Sequence, residues 1–241
     1  MTARQTPFNV KRTGMLQQIL GVKVIISSEL KQKLYAAVLS DVLDGMGHGG
    51  QAMRPFVRPL DESLVLLGRA RTGGYTNTYS VEDDENPYEL EIRLIDDLKP
   101  GDVPVLGCGG PTERIAPWGE LLTTATMARG GVGCVTDGLV RDIKHIRALE
   151  FPVFHGGIGP LDSRGRGRMV EIDRPVQCGG VTVHSGDIVL GDADGLVVVP
   201  QDIADEVFER ALAKVADENH TRDELLKGSL LGDVYAKYGV L

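Results

Sequence analysis

The sequence predicts an α/β fold, a compact sandwich of helices and sheet rather than a doubly wound dinucleotide domain. Three observations carry this. Helical and buried-strand patterns alternate through the centre of the chain. Strands separated by tight Gly turns crowd the last third. No GxGxxG follows a strand and no Walker loop is present, so the chain encodes no nucleotide cradle.

Residues 1–27 read as an N-terminal extension with weak periodicity. Ser27 and Ser28 suit the cap of a helix from Glu29. Leu30, Leu34, Ala37 and Val38 continue it at helical spacing, and Gly45, Gly47, Gly49 and Gly50 end it beyond Asp41 and Asp44. A β-like run over 64–72 precedes a loop at Gly73 and Gly74, and the acidic stretch 82–85 reads as solvated. A helix over 88–98 stops at Pro100 and Gly101, and 103–106 is a short buried strand. Gly119 opens a helix that Gly130 and Gly131 close. A strand at 132–136 turns at Asp137 and Gly138, and Arg141 and Asp142 open the next helix toward Leu149. Val153 and Phe154 form a strand, and 156–168, rich in Gly and Arg, is expected on the surface. Turns at Ser185 and Gly186 and at Asp194 and Gly195 separate the late strands, and an amphipathic helix covers 203–218. The expected organisation is one domain over 28–218 followed by a C-terminal extension, 219–241.

A chain of 241 residues, 42% hydrophobic, can bury one substantial core. The formal net charge of -8 argues against a nucleic-acid partner but leaves small acidic substrates open. Cys108, Cys134 and Cys178 form no CxxC pair, so neither a disulfide framework nor a thiolate zinc site is expected. No run approaches the roughly 18 apolar residues of a membrane span, and the N-terminus lacks signal-peptide character. The expected setting is cytoplasmic, without a membrane.

The residues suited to chemistry cluster in WGELLTTATMARGGVGCVTDGLVRD. Glu120 stands in the first turn of one helix, and Arg141 and Asp142 in the first turn of the next. The intervening strand brings both helix starts to one sheet edge. Helix N-termini offer free N–H groups and partial positive charge to a carboxylate. Arg141 adds a fork of donors. Asp142 and Glu120 supply hard oxygens for hydrated Mg²⁺ or Mn²⁺. An Arg–Asp pair at a helix start is also an ordinary dipole cap with a surface ion pair.

WGELL (118–122), DGLVRD (137–142) and GDIVLGDADGLVVVP (186–200), with SDVLDG (40–45) and PGDVPVLG (100–107), resemble one family. It includes 4-hydroxy-4-methyl-2-oxoglutarate aldolase and the regulator of ribonuclease activity A, and some members carry the older name demethylmenaquinone methyltransferase. The resemblance spans about residues 36 to 215. It implies a swivelling β/β/α sandwich of the phosphohistidine-domain kind, assembled as a homotrimer or dimer of trimers with its site at a subunit interface. It also implies a metal-dependent lyase that forms pyruvate enolate from a 4-hydroxy-2-oxo acid or from oxaloacetate. Asp142 would bind Mg²⁺ or Mn²⁺ directly and Glu120 through water. Arg141 and the backbone of Gly119, Glu120, Leu121 and Leu122 would bind the small 2-oxo acid, with Asp41 supplied by the adjacent subunit. The sequence departs from the family's aldolases at His145, where they carry an acid that the non-enzymatic regulators also lack. The alternative implied is therefore a non-catalytic regulator of an RNA-processing enzyme. A methyltransferase reading finds no cofactor loop.

Other groups read as structural. Lys144 is expected in solvent. His48, His155, His184 and His220 share no ligand spacing, and Cys134 belongs to a buried strand. Asp192 and Asp194 fit a hairpin turn, and Arg164, Arg166 and Arg168 a solvated or intersubunit loop.

Overall fold

The computed structural model describes residues 26–81 and 85–239. The expected N-terminal extension lies outside the described residues up to position 25, as do Glu82, Asp83 and Asp84 of the acidic stretch. In chain order the helices are α1 (Ser28–Lys33), α2 (Ala36–Gly45), α3 (Glu89–Asp96), α4 (Glu120–Ala128), α5 (Ile143–Ala148), α6 (Ala204–Leu226) and α7 (Leu231–Tyr238). The strands are β1 (Arg58–Pro59), β2 (Leu66–Asn77), β3 (Asp102–Gly107), β4 (Cys134–Thr136), β5 (Leu139–Val140), β6 (Val153–His155), β7 (Gly157–Ile158), β8 (Gly167–Ile172), β9 (Val176–Cys178), β10 (Val181–Val183), β11 (Ile188–Gly191) and β12 (Leu196–Val199).

The main sheet runs β1-β6-β4-β3-β2-β11-β12. Pairings from β2 through β3 and β4 to β6 are parallel, and the rest are antiparallel. The long β2 carries β11 on its first half and β8 on its second. The fold is therefore mixed α/β with a nearly closed, barrel-like sheet.

Side-chain alternation sorts the chain into layers. Leu66, Ala70, Val103, Val105, Val135, Phe154, Val189 and Val198 point to one face, where Val176, Cys178, Val181 and Val183 of the β9–β10 ribbon cover them. Their neighbours point to the opposite face, which two groups of helices share. Leu67, Ile188, Leu190, Val197 and Val199 pack on α2 and α6. Leu106, Cys134 and Val153 pack on α3 and α5, with Trp118 just ahead of α4. Burying these aliphatic side chains contributes roughly 1.5–3 kcal/mol each. Among the described residues no helix is long and apolar enough to cross a membrane.

Four local expectations are corrected. The helix expected from Glu29 is two helices, because Leu34 and Tyr35 are extended, with ψ of 148° and 160°. Tertiary contacts fix that break. The Tyr35 hydroxyl donates to Glu218, and Asp192 Oδ2 accepts the Ala36 N–H at 2.7 Å, capping α2 from a hairpin 156 residues away. Gly73 and Gly74 do not loop but stay within β2. A Cβ on Gly73 would lie 2.7 Å from Met169 Cε, and one on Gly74 2.7 Å from Glu171 Oε1, so both glycines mark close approach by β8. The segment 156–168 is not wholly superficial, since Ser163 and Gly167 in it are buried. The helix expected to end near Glu218 runs on to Leu226, and α7 folds back so that Lys237 and Tyr238 both reach Glu224.

Candidate active site

Three short parallel segments lie side by side. Trp118 bridges Val140, and β5 pairs with β7. Arg141 N donates to Trp118 O at 3.0 Å, and Gly159 N to Val140 O at 3.0 Å. Their carboxyl ends therefore deliver three connections to one place: Gly119 into α4, Arg141 and Asp142 into α5, and the loop 159–166. Outside the carboxyl ends of parallel strands is where open α/β sheets place ligands. The sequence-predicted trio Glu120, Arg141 and Asp142 is thus brought together.

Arg141 and Asp142 do not sit inside the helix turn that the sequence suggests. Asp142 is the N-cap of α5 at φ 60° and ψ 28°, a left-handed conformation that Asp tolerates better than most residues. This turns its carboxylate back toward α4, where Oδ2 accepts the Glu120 N–H at 3.4 Å. Gly119 makes room for it: a Cβ there would lie 2.7 Å from Asp142 Oδ2 and 3.3 Å from Arg141 Nε. Gly119 offers α4 no side-chain cap. The N–H groups of Leu121 and Leu122 fall in the first turn, where the helix supplies no acceptor. The Leu121 side chain is 77% exposed beside them. Glu120 Oε1 accepts from Thr124 Oγ1 at 2.9 Å, which steadies that carboxylate.

Arg141 stands between two carboxylates, its Nε 3.7 Å from Asp142 Oδ2 and its Nη1 3.6 Å from Asp162 Oδ2. Sequence reasoning missed Asp162. Its Oδ2 accepts the Tyr88 hydroxyl at 2.8 Å, and its Oδ1 the Arg164 N–H at 3.3 Å. Burial acts to raise its pKa, but the Tyr88 hydroxyl, the Arg164 N–H and the Arg141 charge outweigh it and hold the carboxyl below the usual range. Ser163 donates to Glu91 Oε1 at 3.1 Å, and Glu91 is only 5% exposed, so burial raises its pKa. Asp137 was also missed as more than a turn residue. Its buried carboxylate accepts the N–H groups of Cys108 at 2.6 Å and Gly110 at 2.8 Å, fixing the approach to β5, and burial raises its pKa.

The remaining candidates lie elsewhere or face solvent. Asp41, on α2, pairs with Lys214 Nζ at 2.9 Å, in the helical group of α2 and α6 rather than that of α4 and α5. Lys144 and His145 are exposed on α5. Arg166 donates to Asp162 O, and Arg168 pairs with Glu85, so part of the arginine cluster is tied locally. Burial pushes the Cys134 thiol well up, as suits an inert core residue. Asp192 Oδ1 accepts the Asp194 N–H at 2.9 Å within the β11–β12 hairpin.

Among the described residues no three His, Cys, Asp or Glu groups form a metal cage. Asp142 and Glu120 bring two carboxylate-bearing residues to neighbouring helix starts, and Mg²⁺ that keeps most of its water is commonly held by one or two carboxylates. A cavity of about 800 Å³ is lined by Tyr79, Asn86, Pro87, Glu89 and Arg168 among others and by none of the trio. A second, of about 540 Å³, lies at His184 and Gln201 and touches none of the trio.

A family model for RraA-like proteins, described as Aldolase/RraA, matches residues 36–198. A Halalkalibacterium halodurans protein, provisionally named 4-hydroxy-4-methyl-2-oxoglutarate aldolase, is 33% identical over 180 residues, 75% of this chain and 79% of that one. A 4-hydroxy-4-methyl-2-oxoglutarate aldolase of Thermus thermophilus is 31% identical over 148 residues, 59% of this chain and 87% of that one. Among solved structures, RraAS2 of Streptomyces coelicolor, described as an unusual member of the RNase ES inhibitor RraA protein family, aligns with a TM-score of 0.73. Its identity is 28% over 82% of this chain and 98% of that one.

Proposed function

The chain belongs to the RraA-like family, Aldolase/RraA, and from that premise we propose that it is a lyase that breaks a carbon–carbon bond in a small 2-oxo acid to release pyruvate. The observation that carries this reading is the Arg141 guanidinium beside the open first turn of α4, with the Asp142 carboxylate turned to the same place. Arg141 and the N–H groups of Leu121 and Leu122 hold the substrate carboxylate. Their positive charge then stabilises the enolate left when the C3–C4 bond of a 4-hydroxy-2-oxo acid breaks. A water held by Glu120, or Asp41 of an adjacent copy, takes the C4 hydroxyl proton. Mg²⁺ or Mn²⁺, held by Asp142 directly and by Glu120 through water, would supply Lewis-acid polarisation of the 2-oxo group. Oxaloacetate decarboxylation passes through the same enolate and is the expected second activity.

The layer order, ribbon against sheet against helices, supports the swivelling β/β/α class. Asp41 and Arg141 lie in different groups of helices of one protomer, which supports a site completed between copies of a homotrimer or dimer of trimers.

The assay is pyruvate release from 4-hydroxy-4-methyl-2-oxoglutarate and from oxaloacetate with Mg²⁺, with Mn²⁺ and with EDTA. Release is expected above the background of the metal alone, with EDTA abolishing it. Asp142→Ala should lower turnover about 100-fold or more. Full turnover in that variant removes Asp142 from the mechanism. His145 favours the second reading, a regulator of an RNA-processing enzyme, because family aldolases carry an acid there. A protein that releases no pyruvate from either substrate sustains that reading.

A further inference from the structure

The two ion pairs of Arg141, at 3.7 Å and 3.6 Å, are both longer than a hydrogen bond. The carboxylates of Asp142 and Asp162 thus set the guanidinium by charge while leaving its N–H donors to a ligand. A long side chain fixed in advance binds more tightly than one that must lose its rotamer freedom on binding. Asp162 can do the fixing because it is itself fixed. Tyr88 reaches one of its oxygens at 2.8 Å and the Arg164 N–H the other at 3.3 Å. The next residue, Ser163, is buried and donates to Glu91 at 3.1 Å. Two consecutive residues of the loop 159–166 are therefore pinned on or just ahead of α3, and the loop presents one carboxylate to Arg141.

We propose that Asp162 is a positioning residue that aims Arg141 at the first turn of α4 for the substrate carboxylate, and that Tyr88 holds Asp162 for that task. The inference rests on the lyase reading for its substrate, but the aim of Arg141 is a property of the free protein. Asp162 touches the arginine and not the reacting atoms. Its loss should therefore weaken carboxylate binding more than it slows the bond-breaking step.

The test is a set of variants, Asp162→Asn, Asp162→Glu and Tyr88→Phe, in the full chain. The ligand-free crystal structure of Asp162→Asn should show the Arg141 guanidinium displaced from its place between the two carboxylates. The Kd for pyruvate, titrated calorimetrically, and the KM for oxaloacetate should rise about tenfold, with kcat changed less than about threefold. Asp162→Glu should recover part of the loss. Tyr88→Phe, which alters no charge at neutral pH, should move Kd and KM in the same direction by less, and it stands in if Asp162→Asn fails to fold. An undisplaced Arg141, or pyruvate binding that is unchanged or tighter, overturns the proposal. If the wild type neither binds nor releases pyruvate, the lyase reading falls, and the position of Arg141 in the variant crystal still decides the positioning role.

Discussion

His155 ends β6, only 8% exposed, with its Nδ1 lacking a hydrogen-bond partner among the described residues. Burial first, and the charge of Arg147 second, lower its pKa from 6.5 to about 4. The fold therefore favours the neutral ring, and unfolded chains take up a proton first as pH falls. The linked stability is intact above about pH 6.5 and is lost as pH drops toward about 4, on the order of 3 kcal/mol in all at 1.36 kcal/mol per pKa unit. Denaturant unfolding at pH 7.0 and pH 4.5 should show His155→Asn losing less stability on acidification than the wild type. Equal losses would falsify the assignment. At this scale Arg141, Asp142 and Glu120 were legible because each stands at a helix start that neighbouring sequence marks. Asp162 and Tyr88 were not. Asp162 meets Arg141 only through the parallel pairing of β5 with β7, Tyr88 joins only through Asp162, and no local pattern in GPLDSRGRGR encodes that pairing.

Elements were read well wherever periodicity and punctuation agreed. The apolar runs of β11 and β12 between their Gly turns and the helical spacing at the start of α6 both produced observed elements, though α6 runs past its expected end. Reading failed where a distant contact overrode local preference, as at Leu34 and Tyr35, or where Gly served close packing instead of a turn, as at Gly73 and Gly74. The capping of α2 by Asp192 can be measured directly. Asp192→Ala leaves the Ala36 N–H without its carboxylate, and the expected loss is about 1 kcal/mol in the unfolding free energy at neutral pH. A change within about 0.3 kcal/mol, a scatter ordinary for surface substitutions, means that water replaces the cap.

For the whole molecule, the consequential fact is that two separate groups of helices share one face of the sheet. Asp41 belongs to one group, and Arg141 and Asp142 to the other. If neighbouring copies complete each site, Asp41→Ala and Arg141→Ala should each be nearly inactive as pure proteins. Mixed by co-refolding, they should regain turnover, because some interfaces then pair an intact Asp41 with an intact Arg141. Mixtures no more active than the two pure variants exclude a shared site built on these residues. An α/β sandwich was legible from alternating helices and strands and from late hairpin signals, whereas its layer order came only with the family resemblance. The grouping of helices was not, because it depends on the crossover of β2 to β11 over more than 100 residues.

The remote cap on α2 also bears on how the protein is made. A chain that leaves the ribosome from its N-terminus releases α2 long before the hairpin that completes it. At translation rates of about 5–20 residues per second, the 156 residues between Ala36 and Asp192 take roughly 8 to 30 seconds. Throughout that time Val38, Leu39, Val42 and Leu43 have no Ile188, Leu190, Val207 or Phe208 to pack against. The segment 36–45 thus leaves the ribosome as an apolar stretch too short to hold a helix by itself, and it gains its cap and its packing only after the β11–β12 hairpin and the start of α6 have followed.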